Sequence, residues 1–415
     1  MGRESFDCVV LGAGPAGSTA AALVAQAGFR TLLVERDTMP RFHVGESLMP
    51  ETYWPLQRLG VLDRLKASRH VTKHSVQFVN QKGRASAPFY FHKHDPRDCS
   101  RTWQVVRSDF DQMLFENAEE KGADCRDGTR VSEVLFQGPS QRAHGVRLCT
   151  ADSQSSEVEA AVVMDATGQQ SLIATRLGIR RENPNMRKSA VWSYFRGAER
   201  GKGLDAGATV ILHTADGNSW FWFIPLSDDI TSIGVVGDSR YLLAENLKPT
   251  EIFERELALC PALRERLEGT ATVEPFRVAR EFSYKSSQAA GDGWVLIGDA
   301  YGFIDPVYSS GVYFALKMGE MAADCAIEGL QKGDTSAAQL GAWSEEFDLA
   351  ADHIRKLVAA FYTREFSIGS FIKAHPEHLG NLTDLLIGRI FHPEAGRIFE
   401  DMDRWLVEAK LAEAR

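Results

Sequence analysis

The chain has 415 residues, enough for a sizeable core and two or three domains. With 44% hydrophobic and 25% charged residues it reads as an ordinary folded protein, and a formal net charge of −9 argues against a nucleic-acid partner, which needs a basic surface. The 6 cysteines are scattered without a CxxC pair, no uncharged run is long enough for an integral membrane span, and no leader-like segment opens the chain, so neither a zinc cluster nor a redox dithiol is suggested and a cytoplasmic protein is expected.

Residues 6–11 are a short apolar run of β-formers, followed by Gly12-Ala13-Gly14-Pro15-Ala16-Gly17. A helix-forming stretch of small residues over 18–27 comes next, and Gly28 ends it. A second strand, Thr31–Val34, closes on Glu35. Strand, glycine turn, helix, strand and acid together read as a dinucleotide-binding unit. Gly12 allows the tight turn, Gly14 lets the backbone approach a pyrophosphate, and Gly17 lets the helix pack close to the sheet. The helix N-terminus then offers free N–H groups to the phosphates. Glu35 would accept hydrogen bonds from the adenosine ribose, and an acid at this point favours FAD or NAD over NADP.

The loop Arg41-Phe42-His43-Val44-Gly45-Glu46-Ser47 lies either beside a cofactor or on the surface, and leads into an amphipathic stretch over 48–65. His43 has no partner at metal-ligand spacing and reads as structural. Residues 71–79, which contain Lys73, read as one strand. Val105-Val106-Arg107-Ser108-Asp109 reads as a helix start with Ser108 as its cap, and Arg107 could reach a cofactor or cover a surface. Residues 131–136 and 145–149 predict a hairpin with Gly138-Pro139-Ser140 as a turn. Residues 157–165 predict a buried parallel strand ending in Asp165-Ala166-Thr167-Gly168, where backbone would pass close to a cofactor.

Residues 190–195, 208–212, 219–226 and 232–236 predict an antiparallel sheet inserted between parts of the dinucleotide domain. Trp220 and Trp222 would share one face and Phe221 and Phe223 the other. The tryptophans are either ordinary packing or a rigid aromatic wall beside a ligand. Pro225 would end the strand or mark an edge. A strand over 294–298 ends in Gly298-Asp299, a loop runs through Tyr301 to Gly311, and a long helix is expected over 312–330. Its N-terminus would face an anion or an electron-rich ring, and Asp299 could bind a ribityl hydroxyl. With the N-terminal unit, this points to flavin rather than nicotinamide. No second glycine-rich unit supplies a dedicated NAD(P)H domain. Amphipathic segments near Ser344–Phe361 and 397–413 predict C-terminal helices that either lid the cavity or face a partner. The expected fold is therefore α/β. A Rossmann-type FAD-binding domain (1–72, 98–180 and 281–330) carries an inserted, mostly antiparallel β-sheet substrate domain (73–97 and 181–280) and a C-terminal helical region (331–415).

These residues resemble the flavin-dependent halogenases of the phenol and pyrrole type, within the class-A flavin monooxygenase superfamily. Gly12 to Gly17 with Glu35, Asp165 to Gly168, Gly298-Asp299 and Arg107 match the superfamily. Trp220-Phe221-Trp222-Phe223-Ile224-Pro225 fits the halogenase WxWxIP signature, and Gly302 to Gly311 fits the segment that borders the flavin and binds halide. The resemblance implies FAD, used as FADH2 from a separate NAD(P)H-dependent flavin reductase. Around it would stand Gly12, Gly14, Ala16, Gly17, Glu35, Arg41, Glu46, Ser47, Arg107, Asp165, Gly168, Gly298, Asp299, Asp305, Pro306 and Gly311. It further implies a chloride or bromide site at Ser309, Ser310 and Gly311, and a tunnel wall of Trp220, Trp222, Phe223 and Pro225. Lys73 falls on the family's catalytic lysine, which would hydrogen-bond hypohalous acid or form a chloramine and pass the halogen to a phenol or pyrrole, free or bound to a carrier protein. An aromatic hydroxylase or a geranylgeranyl-reductase-like oxidoreductase is the alternative.

Overall fold

The computed structural model describes residues 4–138, 141–150, 154–245, 247–280, 283–363 and 366–413. Two residues of the expected hairpin turn, Pro139 and Ser140, lie outside these. The first sheet has the order Ala290–Gly291, Trp294–Leu296, Ser155–Asp165, Glu4–Leu11, Thr31–Val34, Asp124–Arg126. From Trp294–Leu296 onward its neighbours run parallel. Val9, Val10, Leu11, Val162 and Val163 have no exposed surface, as a parallel sheet covered on both faces requires. The hairpin Thr129–Gln137 and Arg142–Thr150 extends this sheet antiparallel to Ser155–Asp165. Helix Pro15–Gln26 lies against the long helix Gly311–Lys332, where a Cβ on Gly319 would stand 2.5 Å from the Ala16 carbonyl oxygen.

The second large sheet has the order Ala271–Thr272, Lys188–Arg196, Ile230–Asp238, Ser219–Pro225, Thr209–His213, Ser75–Val79, Phe89–Tyr90, and Arg277–Arg280 also pairs with Lys188–Arg196. Its pairs are antiparallel except that of Thr209–His213 with Ser75–Val79. The two-residue period of Ser219–Pro225 sorts its side chains as read from the sequence. Trp220, Trp222 and Ile224 join the main core, whereas Phe221 and Phe223 join a second core with Phe195, Ile252 and Phe253 beneath helix Pro249–Ala258. Pro225 is the last residue of a central strand, so it ends the strand and is not at an edge. Helices Ser344–Phe361 and Ile398–Glu413 form where their apolar periodicity places them. Among the described residues no helix is long and apolar enough to cross a membrane.

Three local expectations change. The strand expected over 71–79 is two strands: Val71–Lys73 pairs with Thr102–Gln104, and Ser75–Val79 enters the large sheet. Lys73 therefore sits in a separate two-stranded ladder, and the large sheet begins at Ser75. The helix expected to be capped by Ser108 begins at Arg107, and its cap position, Val106, offers no side-chain bond. Starting two residues earlier brings Arg107 into the helix, where it and Asp111, four apart on one face, pair at 2.8 Å. The stretch over 48–65 breaks into Tyr53–Leu59 and Leu62–Lys66, because Gly60 takes a left-handed conformation with φ 79.

Candidate active site

The two glycine-bearing helix starts face one cavity. Gly12, Gly14 and Ala16 line one part of it, and Gly311 and Val312 another. Gly12 has φ +97, and a Cβ there would lie 2.5 Å from the Ala166 carbonyl oxygen, so only glycine fits. Helix Pro15–Gln26 has no side-chain cap, which leaves its first N–H groups for a ligand. Gly17 does not line the cavity. Its Cβ would stand 1.9 Å from Gly12 O, so it serves the close packing of helix on turn. Glu35 steadies the turn as well as facing the cavity: Oε2 accepts from Ala13 N at 3.0 Å and Oε1 from Asp37 N at 3.1 Å.

A buried ionic network holds the loop over 41–47 against this cavity. Arg107 donates twice to Asp111, at 2.8 and 3.0 Å, and Arg41 donates to the same carboxylate at 3.0 Å. Arg41 Nε also lies 3.2 Å from Glu35 Oε2. Burial pushes the Asp111 carboxyl up, but the charge and hydrogen bonds of Arg107, with Arg41, outweigh it and hold it below its ordinary value. Arg107 Nη1 also donates to Val44 O at 2.8 Å and Gly45 O at 3.2 Å, so the loop backbone hangs from it. His43 lines the cavity with its surface open to it; partial desolvation of its ring by the surrounding loop, with the nearby Arg107 charge, depresses the imidazole to about 4. Glu46 Oε1 accepts from Tyr194 OH at 2.6 Å, and burial raises its carboxyl despite that bond.

At the opposite wall, Gly168, Gly298, Asp299, Pro306, Ser309 and Gly311 line the cavity. Burial pushes the Asp299 carboxyl up to about 7, against the pull of Arg107. Ser309 is left-handed, with φ 60, and turns the chain so that helix Gly311–Lys332 begins at the cavity. Ser310 does not line the cavity, but its Oγ is buried without a partner, and its helix too starts without a side-chain cap. Asp165 and Asp305 are placed behind the cavity rather than in it. Asp165 accepts from Thr167 N, Thr167 Oγ1 and Ile173 N at 3.0, 2.6 and 2.7 Å, which leaves it to shape the turn before Gly168. Asp305 accepts from Val307 N at 3.1 Å and from Tyr362 OH at 2.7 Å.

Trp220, Trp222 and Ile224 face the cavity together with Trp192 from the neighbouring sheet region. Phe223 and Pro225 do not. Strand alternation points Phe223 into the second core, where Arg266 lies 5.2 Å over its ring, and Pro225 only closes the strand. Trp220 is locked by Nε1 donating to Tyr362 OH at 2.9 Å, and Trp222 by Nε1 donating to Ser232 Oγ at 3.1 Å. Between Trp192 and Trp222 sits Gly234, whose Cβ would lie 2.3 Å from Trp222 Cζ2. Gly234→Ala must therefore push the indole out of place. The expected result is a loss of about 1–3 kcal/mol in urea unfolding.

Lys73 is 3% exposed, and its Nζ donates to Ser47 Oγ at 2.9 Å and Leu48 O at 3.0 Å. Phe91 lies 5.8 Å from it, and no carboxylate is among its hydrogen-bond partners. Burial depresses the amine to about 7. Ser47 lines the cavity and Lys73 stands directly behind it. Ser47 Oγ is also 2.9 Å from Thr209 Oγ1, which accepts from Gln104 Nε2 at 2.8 Å. Tyr194, Thr209, Gln104 and Gly234 were not singled out in the sequence. For Tyr194 a signal existed, since it lies two residues from Trp192 on one strand. For Thr209 and Gln104 none did.

The uncapped helix over Gly14, the glycine cradle at Gly12 and Gly298, and the orphaned Ser310 hydroxyl fit a dinucleotide flavin and a small anion. The sequence matches the family described as tryptophan halogenase over residues 7–103 and 92–368. The chain belongs to the flavin-dependent halogenases. This halogenase is an enzyme that uses FAD and chloride or bromide to halogenate an aromatic substrate. It is 28% identical to a 1H-pyrrole-2-carbonyl-[peptidyl-carrier protein] chlorinase of Pseudomonas fluorescens, over 97% of this chain and 93% of that protein. It is 31% identical to a 1H-pyrrole-2-carbonyl-[peptidyl-carrier protein] brominase of Pseudoalteromonas luteoviolacea, over 80% of this chain and 79% of that protein. A solved flavin-dependent brominase superimposes with a TM-score of 0.85 at 26% identity, over 96% of this chain and 98% of that one.

Proposed function

We propose that this halogenase acts on a pyrrole-2-carbonyl group held as a thioester on a peptidyl carrier protein. It works in the cytoplasm, where its six unpaired cysteines stay reduced, and takes reduced FAD from a separate NAD(P)H-dependent flavin reductase. The observation that carries the substrate reading is the nearly end-to-end match with a carrier-type pyrrole chlorinase. Two such relatives, one a chlorinase and one a brominase, support the same ring and tether.

The residues divide the work by position. Gly14 and Ala16 offer N–H groups at the helix start to a pyrophosphate, Gly12, whose own N–H donates to Val34 O at 2.7 Å, turns the chain there, and Glu35, Gly168, Gly298 and Asp299 flank the rest of the cofactor. Arg41, Arg107 and Glu46 fix the loop that covers it. When bound, reduced FAD with dioxygen supplies the oxidant that turns halide into hypohalous acid. The N–H groups at Gly311 and Val312, which line the cavity, hold chloride or bromide where bulk water is excluded, and the unpartnered Ser310 hydroxyl lies just behind them at the same helix start. Trp220 and Trp222 keep the pyrrole away from the flavin and guide the acid toward Ser47 and Lys73. As a neutral amine, Lys73 takes the halogen and passes it to the ring.

The test is a carrier protein loaded with pyrrole-2-carbonyl, supplied with the enzyme, a flavin reductase, NADH, oxygen and bromide or chloride. The expected product is a loaded carrier in which halogen replaces ring hydrogen, read by intact mass. Free phenols halogenated with a kcat/KM equal to that of the tethered pyrrole would sink the substrate assignment. A gain of one oxygen would mark a hydroxylase instead.

A further inference from the structure

Around Lys73 the hydrogen-bond donors outnumber their protein partners by one. Gln104 Nε2 donates to Gly207 O at 3.0 Å and to Thr209 Oγ1 at 2.8 Å, and since a carbonyl can only accept, the amide nitrogen must face this side. Lys73 Nζ donates to Ser47 Oγ and Leu48 O. A neutral amine has two N–H groups, so both are engaged and its lone pair is free. Ser47 Oγ and Thr209 Oγ1 are 2.9 Å apart and each carries one hydrogen. Whichever hydroxyl donates across that contact, the other keeps a hydrogen with no protein partner among the described residues. Both side chains line the cavity. Their placement is built into the backbone: Ser47 bridges Gln104, Leu48 N donates to Trp103 O at 3.1 Å, and Val105 N donates to Glu46 O at 2.7 Å.

We propose that Ser47, hydrogen-bonded to Thr209, relays a proton from the Lys73 amine to the oxygen of hypohalous acid as the halogen moves to nitrogen. This rests on the reading of Lys73 as the halogen acceptor. The Nζ lone pair attacks the halogen, the N–halogen bond forms, and the oxygen–halogen bond breaks with its electron pair left on oxygen. Nζ gives a proton to Ser47 Oγ, and the surplus hydroxyl proton, from Ser47 or through Thr209, goes to the departing hydroxide. Amine and hypohalous acid thus become haloamine and water, with no further oxidant. The relay avoids leaving a cationic nitrogen and a hydroxide together in a water-poor site, where neither charge is solvated.

The experiment uses the intact enzyme with flavin, reductase, oxygen and chloride, and compares Ser47→Ala, Ser47→Thr and Lys73→Met. Halogenated product is counted against hypochlorous acid that escapes to a diffusible dimedone trap. In Ser47→Ala the product-to-trap ratio is expected to fall by at least about tenfold, while Ser47→Thr, which keeps the hydroxyl, stays within about threefold. A solvent deuterium isotope effect on that ratio is expected in the parent and lost in Ser47→Ala. A second arm needs no flavin. The flavin-free protein is treated with hypochlorous acid, and chlorination of Lys73 is measured by peptide mass relative to the exposed Lys82. That relative yield should also drop about tenfold in Ser47→Ala. If both ratios are unchanged in Ser47→Ala, the relay is wrong and the role of Lys73 stands. If Lys73→Met halogenates at the parental rate, the reading of Lys73 falls and the relay with it.

Discussion

Lys73→Ala is expected to cut halogenation by about 10²–10⁴-fold while reduced flavin continues to be reoxidised. The physical basis is the setting of the amine. Lys73 is buried, its hydrogen-bond partners are one hydroxyl and one carbonyl, and burial depresses it from the ordinary value of 10.5 to about 7. The neutral amine is therefore populated near pH 7, and only that form has a lone pair for halogen. Halogen transfer is expected to rise with pH through about 7 and then level off. The same shift predicts a stability signature of definite sign. Between about 7 and 10.5 the unfolded chain binds a proton at this lysine that the folded chain has released. Stability from this group therefore increases with pH across that window, and the burial penalty is fully present below it. Lys73→Met removes the penalty, so at pH 6 the variant should be more stable than the parent, by on the order of 3 kcal/mol in urea unfolding. A variant that is inactive but more stable separates lost chemistry from lost folding. A Lys73→Ala enzyme that halogenates at the parental rate removes the lysine from the reaction.

Arg107→Leu has the second-largest expected effect, on stability and on flavin binding together. Asp111 has no exposed surface and Arg107 is 5% exposed, so the pair is desolvated. Removing the guanidinium leaves the Asp111 carboxylate buried with Arg41 as its remaining cationic partner, and frees the loop carbonyls of Val44 and Gly45. The expected cost is about 3–5 kcal/mol. The pH dependence should change sign. In the parent, Asp111 lies below its ordinary value, so its contribution is present above the unfolded carboxylate pKa and is lost as pH falls through the folded value. In the variant, burial dominates and raises Asp111, so the variant regains stability as pH falls. FAD affinity, read by quenching of flavin fluorescence, should weaken in parallel. A Arg107→Leu/Asp111→Leu double variant removes the stranded charge and should recover much of the stability without the flavin affinity. If single and double variants unfold alike, the buried pair is not the cause.

Local pattern was legible wherever a single element carries it. The tryptophans and phenylalanines of Ser219–Pro225 segregate to opposite faces because strand side chains alternate, and that follows from spacing alone. Ser344–Phe361 is helical because its apolar residues recur at helical spacing and bury Phe347, Ile354 and Leu357. The glycine turn was legible because only glycine accepts its backbone conformation. Local reading went astray where a distant partner captured a segment or where a side chain turned away from the cavity its segment borders. Residues 71–79 look like one strand, but the strand over 102–104 captures Val71–Lys73, and Ser75–Val79 pairs elsewhere. Asp165, Asp305, Phe223 and Pro225 belong to segments that border the cavity, yet they face their own turn, the second core or the strand end.

The sequence by itself determined that this chain carries a dinucleotide-binding unit at its N-terminus, that a second glycine-bearing helix starts after Ser310, and that Trp220 and Trp222 share one face of a strand. Those features are short-range: turn sterics, strand alternation and helix periodicity act over a few residues and leave their mark in the order of side chains. Tertiary structure alone decided the chemistry of Lys73. Its environment comes from Ser47 and Leu48, about two dozen residues earlier, and through Ser47 from Gln104 and Thr209. Burial, and with it the depressed amine, depends on how completely those segments exclude water. Solvent exclusion is a property of the packed whole, so no stretch of sequence around the lysine could have stated it.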